Sequence, residues 1–201
     1  GFDMTDIQIR TITGNDIEPW MGALARLRIH VFREFPYLYE GTEAYEEKYL
    51  RPHAESANSL FVLAFTADDV IGVSTAVPLL DAEAPFRQPF VDHAIDPATV
   101  LYFGESVLAP EFRGKGIGHR FFDAREAHAR QLGLSVTSFC AVERPENHAA
   151  RPRDYRALHD FWRQRGYIYH PEMQVEYSWL DVGNTVETLK PMRFWLRQQE
   201  L

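Results

Sequence analysis

Residues 100–132 read as strand, turn, glycine loop and helix, and this unit limits the folds open to the chain more than any other stretch. Val100 to Leu108 is an apolar, strand-like run, and Ala109-Pro110-Glu111-Phe112 is a turn. Arg113-Gly114-Lys115-Gly116-Ile117-Gly118 then opens an amphipathic helix that continues to about Leu132. Alternating glycines let a backbone approach a ligand with no Cβ in the way. The unpaired N–H groups of a helix's first turn, with the helix dipole behind them, form an anion site. Arg113 and Lys115 add positive charge at the same spot. The chemistry implied is binding of a phosphate-bearing cofactor.

Two familiar phosphate loops fit poorly. A Walker loop needs Ser or Thr after its Lys, and a dinucleotide fingerprint needs a third glycine where His119 stands. Composition narrows the choice further. With 201 residues, 45% of them hydrophobic and 25% charged, the chain is expected to form a single domain over residues 1–201 with its own core. Gly1-Phe2-Asp3 before Met4 reads as a cloning remnant. A net charge of −8 argues against a nucleic-acid partner, which would need a basic face. The apolar runs are too short to span a bilayer, no signal peptide is visible, and a single cysteine, Cys140, excludes an internal disulfide. A cytoplasmic location without membrane attachment is expected.

Along the chain, Ile7 to Ile12 alternates like a half-buried strand. Asp16 is placed to cap a helix in which Ile17, Trp20, Leu24, Leu27, Val31 and Phe35 recur at helical spacing, with Pro36 as its stop. A second helix is expected from Thr42 to about Arg51, closed by Pro52. Leu60–Phe65 and Val70–Leu80 read as a hairpin, and 81–98, with three prolines, as a long irregular loop. Val136 to Val142 is a further strand. A polar loop follows, then a helix capped by Asp154 and stopped by Gly166, and Met173–Leu180 and Met192–Leu196 close the chain as strands.

Strand, Pro-containing turn, Arg-Gly-Lys-Gly-Ile-Gly and long helix together resemble the acetyl-coenzyme A-dependent N-acetyltransferase superfamily (GNAT). Its pyrophosphate loop reads Gln/Arg-x-x-Gly-x-Gly/Ala. Every fixed position is met here, and the element order agrees from end to end. The resemblance implies an α/β fold: a central mixed, mostly antiparallel seven-stranded sheet, flanked by about four helices, with splayed central strands. It implies acetyl-CoA as co-substrate, with pantetheine inserted into the splay beside Ser106, Val107 and Leu108. The diphosphate would lie on Arg113, Gly114, Lys115, Gly116, Ile117 and Gly118. A backbone N–H of Ser106 or Leu108 would meet the oxyanion, a contact worth roughly 3–4 kcal/mol in comparable sites.

Transfer needs a neutral amine, so a base must remove a proton before attack. Glu105 is the carboxylate on this strand. It reads either as that base or as a polar residue facing a helix or solvent, and Tyr102 is a weaker candidate. Alternation puts Glu105 and Val107 on one face, and Ser106 and Leu108 on the other. The later helix departs from the family pattern Asn-x-x-Ala-x-x-Leu-Tyr-x-x-x-Gly-Phe. Phe161-Trp162-Arg163-Gln164-Arg165-Gly166-Tyr167 matches its end, but Trp162 replaces the Tyr that serves many members as general acid. Tyr155 stands for the Asn and is expected to hydrogen-bond the cofactor. Trp162 is expected to pack on pantetheine, and His159 reads as a surface histidine.

The acceptor would be a primary amine. Glu34, Glu40, Glu43, Glu46, Glu47 and Glu55, interleaved with Tyr37, Tyr39, Tyr45 and Tyr49, suit an ammonium group; they equally suit a solvated helix face paired with Lys48 and Arg51. His53, His93, His128 and His148 show no metal spacing, and no metal is expected. Cys140 reads as a buried strand residue, and Phe194 and Trp195 face either the core or a partner chain in a homodimer. The function expected is transfer of acetyl from acetyl-CoA to an amine by direct attack in a ternary complex. The alternative is a non-catalytic acyl-CoA-binding or sensing domain.

Overall fold

A computed structural model describes residues 6–67 and 69–201; the expected cloning remnant lies outside them. Seven strands form one sheet in the order β1-β2-β3-β4-β5-β7-β6. They are β1 Ile7–Ile12, β2 Leu60–Thr66, β3 Asp69–Pro78, β4 Val100–Leu108, β5 Val136–Val142, β6 Ile168–Trp179 and β7 Thr188–Gln198. Every neighbouring pair is antiparallel except β4 and β5. That parallel pair is in register only from Val100↔Val136 to Tyr102↔Ser138. Beyond Tyr102 the two strands part, and the sheet is mixed, mostly antiparallel and open in the middle.

Five helices cover it: α1 Met21–Phe32, preceded by a 3-10 turn over Gly14–Trp20, α2 Glu43–Glu55, α3 Ala84–Asp92, α4 Ile117–Leu132 and α5 His159–Gln164. On one face the 3-10 turn, α1 and α2 bury Ile17, Leu24, Leu50 and Ala54 against Phe61, Leu63, Val73 and Val107. On the same face α3 sets Phe86 and Phe90 against Tyr102, Cys140, Met192 and Phe194. On the opposite face α4 sets Ile117, Phe121 and Phe122 against Val62, Leu101, Phe103 and Phe139, with Phe161 and Trp162 of α5 at the margin. Phe194 and Trp195 are both buried in this core.

Three expectations are corrected. Residues 81–98 are not one irregular loop, because α3 forms there: Pro85 falls in the first turn, where a missing N–H costs nothing, and Phe86 and Phe90 lie one turn apart facing the core. Pro52 does not close α2, which runs on to Glu55 because Leu50 and Ala54 are both buried on its inner face. Asp154 caps no helix, since α5 starts at His159 and the preceding segment is a loop, with Tyr155 N–H bonded to the Pro152 carbonyl in a turn.

Opposite β3, β4 carries one extra residue. Ser74 pairs with Ser106 and Ala76 with Phe103, so Gly104 and Glu105 together face Thr75. This bulge resets the alternation of side chains along β4. Before it, Val100 and Tyr102 face the α1–α3 side; after it, Val107 and the line of Glu105 do so. Leu101, Phe103 and Leu108 face α4.

Candidate active site

Where β4 leaves β5, the α1–α3 face holds a cavity of about 100 Å³. Tyr37, Tyr39, Tyr45 and Tyr49, the four tyrosines of the first helical region, all line it, together with Tyr102 and Tyr177. Burial pushes the phenols of Tyr37, Tyr39, Tyr49, Tyr102 and Tyr177 upward. At neutral pH they are uncharged hydroxyls.

Two charged side chains line the cavity. Arg28 reaches from α1 to Glu105, Nη1 to Oε1 at 2.7 Å, while its Nε donates to Glu46 of α2. The guanidinium lies 4.3 Å from the Tyr49 ring centroid and 5.0 Å from that of Phe32. Tyr49 donates its hydroxyl to Glu105 Oε2 at 3.1 Å, and Tyr39 donates to Glu46 Oε1 at 2.9 Å. Arg28, Glu46 and Glu105 are all buried, so two carboxylates share one guanidinium. Burial alone would raise the Glu105 carboxyl. Arg28, His53 and Tyr49 outweigh it and hold the group below the usual carboxylate range.

Three other carboxylates of the region face outward to arginines. Glu47 meets Arg51 at 2.9 Å, Glu34 meets Arg113 at 3.1 Å, and Glu40 pairs with Arg33. Cys140, at the cavity floor, lies 3.2 Å from the Tyr102 hydroxyl, and burial pushes its thiol up to about 12.

Val107 is buried under α1 on the same side as Glu105, while on the other side of the strand Ser106 is exposed and Leu108 is half-buried. Arg125, in the middle of α4, clamps the bulge from beneath. Its Nη1 donates to the Glu105 carbonyl at 3.2 Å, and its Nη2 to Ser106 Oγ at 2.8 Å. Its guanidinium rests on the rings of Phe103 and Phe122 and is only 1% exposed, and burial lowers it to about 10. Arg125 is a site residue that the motif pattern of the sequence does not single out. The signal was there: an arginine on the apolar face, in line with Phe121, Phe122 and Ala129, must find buried acceptors.

The glycine loop lies at the outer end of β4. Gly114 and Gly116 have φ of +76° and +84°, and a Cβ on either would meet no atom within 4 Å. The left-handed backbone demands glycine there, and the space over it is open. Gly116 caps α4, whose first turn holds no acidic residue and whose cap has no side-chain bond. Arg113 Nε donates to the Leu108 carbonyl at 3.2 Å. Main-chain amides, a helix start and two cations fit a diphosphate. Ile117 itself is buried, anchoring the helix.

Tyr155 sits in the loop before α5, edge-on to Phe35 with ring centroids 4.8 Å apart. Trp162 packs in a cluster with Phe139 at 4.8 Å and Trp195 at 5.1 Å. Among the described residues no group of His, Cys, Asp and Glu could hold a metal ion, and no helix is long and apolar enough to cross a membrane.

The comparisons agree with this architecture. The sequence matches the family described as acetyltransferase (GNAT) over residues 24–167, and the chain belongs to that family of acyltransferases. Among solved structures, a ribosomal-protein-alanine N-acetyltransferase from Brucella melitensis superposes with a TM-score of 0.61 at 14% identity, over 95% of this chain and 99% of that one. A phosphinothricin acetyltransferase from Sinorhizobium meliloti, in complex with acetyl-CoA, gives 0.57 at 17%, over 96% and 89%. A GNAT acetyltransferase from Streptococcus pneumoniae gives 0.57 at 12%, over 96% and 99%. At such identities the likeness is one of fold. No curated protein is similar enough in sequence to match the chain.

Proposed function

We propose that this chain, acting as one domain, transfers an acetyl group from acetyl-CoA to a primary amine by direct attack in a ternary complex. The observation that carries this is the parting of β4 and β5, with a glycine loop at one end of the exposed strand edge and a carboxylate cavity on its face. The acetyl-CoA bound by the Sinorhizobium protein supports the same co-substrate here. Ser106, Val107 and Leu108 offer their free strand edge to the pantetheine amides. Arg113, Gly114, Lys115, Gly116, Ile117 and Gly118 hold the diphosphate through backbone amides and charge. Tyr155 flanks the cofactor from the loop before α5.

Glu105 serves as the base that takes the proton from the acceptor ammonium. Arg28 keeps it ionised and oriented, and the bulge turns it toward the cavity. The acceptor is cationic: Glu46 and Glu105 together outweigh Arg28, and the aromatic walls favour an ammonium group. The Cys140 thiol, protonated at neutral pH, is a poor nucleophile, which favours direct attack over a covalent enzyme intermediate. A cytoplasmic location completes the reading.

The test is release of free coenzyme A thiol from acetyl-CoA in the presence of polyamines, aminoglycosides, arylalkylamines and lysine peptides. Amine-dependent release with at least one cationic acceptor is expected. Uptake of acetyl-CoA with no amine-dependent release would instead identify a non-catalytic acyl-CoA-binding domain.

A further inference from the structure

A proton accepted by Glu105 must leave again in every cycle, and Arg28 makes that carboxylate a poor resting place for it. Behind the cavity wall, the bulge leaves a small polar niche. A Cβ on Gly104 would lie 2.4 Å from Thr75 Oγ1, 3.4 Å from His53 Nε2 and 3.7 Å from the Tyr49 hydroxyl. Three polar groups from β3 and α2 therefore converge on the space that this residue leaves, beside Glu105. Two of those side chains also keep buried polar atoms without a hydrogen-bond partner, Thr75 Oγ1 and His53 Nδ1. Unpaired buried polar atoms are costly, and at a working site they call for a reason.

We propose that His53 is the second station of the proton, receiving it from Glu105 across the Gly104 niche through the Tyr49 hydroxyl and passing it to solvent. His53 touches no substrate and acts through Glu105. This rests on the acetyltransferase reading above. In the first step an N–H bond of the acceptor ammonium breaks and an O–H bond forms on Glu105. In the second, Glu105 gives that proton to the Tyr49 oxygen while Tyr49 gives its own to His53 Nε2. Water then takes it from the imidazole, which is partly exposed on α2, and the neutral ring is restored.

The surroundings suit this role. Facing His53 are Tyr49 on its own helix, Glu105 on β4, Arg28 on α1 and Glu83 ahead of α3. Burial, aided by Arg28, lowers the imidazole against the two carboxylates. The ring is neutral at pH 7, so its acceptor nitrogen can take a proton.

His53→Gln keeps hydrogen-bonding capacity and cannot carry a proton. With the best amine of the panel, it is expected to lower kcat roughly 10- to 100-fold at pH 7. KM for acetyl-CoA should stay unchanged, the acid limb of the pH–kcat profile should be lost, and added imidazole should restore part of the rate. Wild-type kcat and profile in His53→Gln, or a loss that imidazole leaves untouched, would overturn the relay.

Histidine-selective NMR on the unsubstituted chain and on Glu105→Gln needs neither His53→Gln nor an acceptor. The His53 titration midpoint should lie below 6.5 and fall further in Glu105→Gln, and a midpoint unmoved by that change also overturns the proposal. A wild-type chain that releases no thiol with any amine strikes the acetyltransferase reading instead.

Discussion

Arg28 is one guanidinium set between two carboxylates, and all three groups are shut away from solvent. Such an arrangement is stable only while it is complete, because a charge left alone in the interior keeps its desolvation cost and loses its partner. Arg28→Met would strand both Glu46 and Glu105. It is expected to cost about 3–5 kcal/mol, read as a fall in the denaturant midpoint with unchanged slope. Glu46→Gln leaves a one-to-one pair and should cost much less. A comparable loss in both variants would mean that the guanidinium is held mainly by the rings of Phe32 and Tyr49. The same contrast bears on function, since Glu46→Gln removes the excess negative charge of the buried triad beside the cavity. If the acceptor binds as a cation, its KM rises in that variant while KM for acetyl-CoA does not.

At the scale of elements, β4, the glycine loop and α4 were legible because their chemistry is local. Apolar alternation, left-handed glycines and a helical apolar stripe are all written in neighbouring residues. Gly116 shows how strict the local rule is. Gly116→Ala forces a side chain into φ of +84°, at a cost of roughly 1–2 kcal/mol. It should also weaken acetyl-CoA about tenfold by calorimetry, equal to roughly 1.4 kcal/mol. Unchanged affinity would separate the loop from the cofactor.

The features missed are those decided by distant partners. α3 was hidden by its prolines because the burial of Phe86 and Phe90 against β5 and β7 cannot be seen in 81–98 alone. Tyr155 was put on a helix by pattern, yet its place is set by Phe35, far away in sequence. The convergence of the four tyrosines, the clamp by Arg125 and the facing of Glu105 all depend on how β4 registers against β3, which no local pattern records.

Across the whole molecule, acid is the predicted weakness. Burial raises the Asp181 carboxyl, but hydrogen bonds from Arg144 at 2.9 Å and from Lys190 at 3.2 Å lower it further than burial raises it. Glu105 is likewise depressed, and so is His53. In each case the unfolded chain binds a proton more readily than the folded one, so stability rises with pH over the range in which these groups titrate. The carboxylates contribute fully above their unfolded values, near 3.8 and 4.5, and lose that contribution as pH falls through the depressed folded values. His53 begins to penalise the fold as pH drops below 6.5. Urea midpoints should therefore decline from pH 7 to 5 and drop more steeply below 4.5. In His53→Gln the upper part of that decline should flatten, and a midpoint constant from pH 7 to 5 in the unsubstituted chain would contradict the assignment.

One supernumerary residue in β4 has a consequence for how this chain tolerates change. Side chains on a strand obey parity, and the insertion shifts the outer half of β4 out of step with its inner half. Deleting Gly104 would restore even counting. Glu105 would then stand alone opposite Thr75 and keep its place on the cavity side, with Phe103 and Leu108 still facing α4. Point substitutions along β4 can be graded by size and charge, but a single-codon deletion is neutral in facing only at the bulge; past it, with the bulge kept, every residue that follows would change sides.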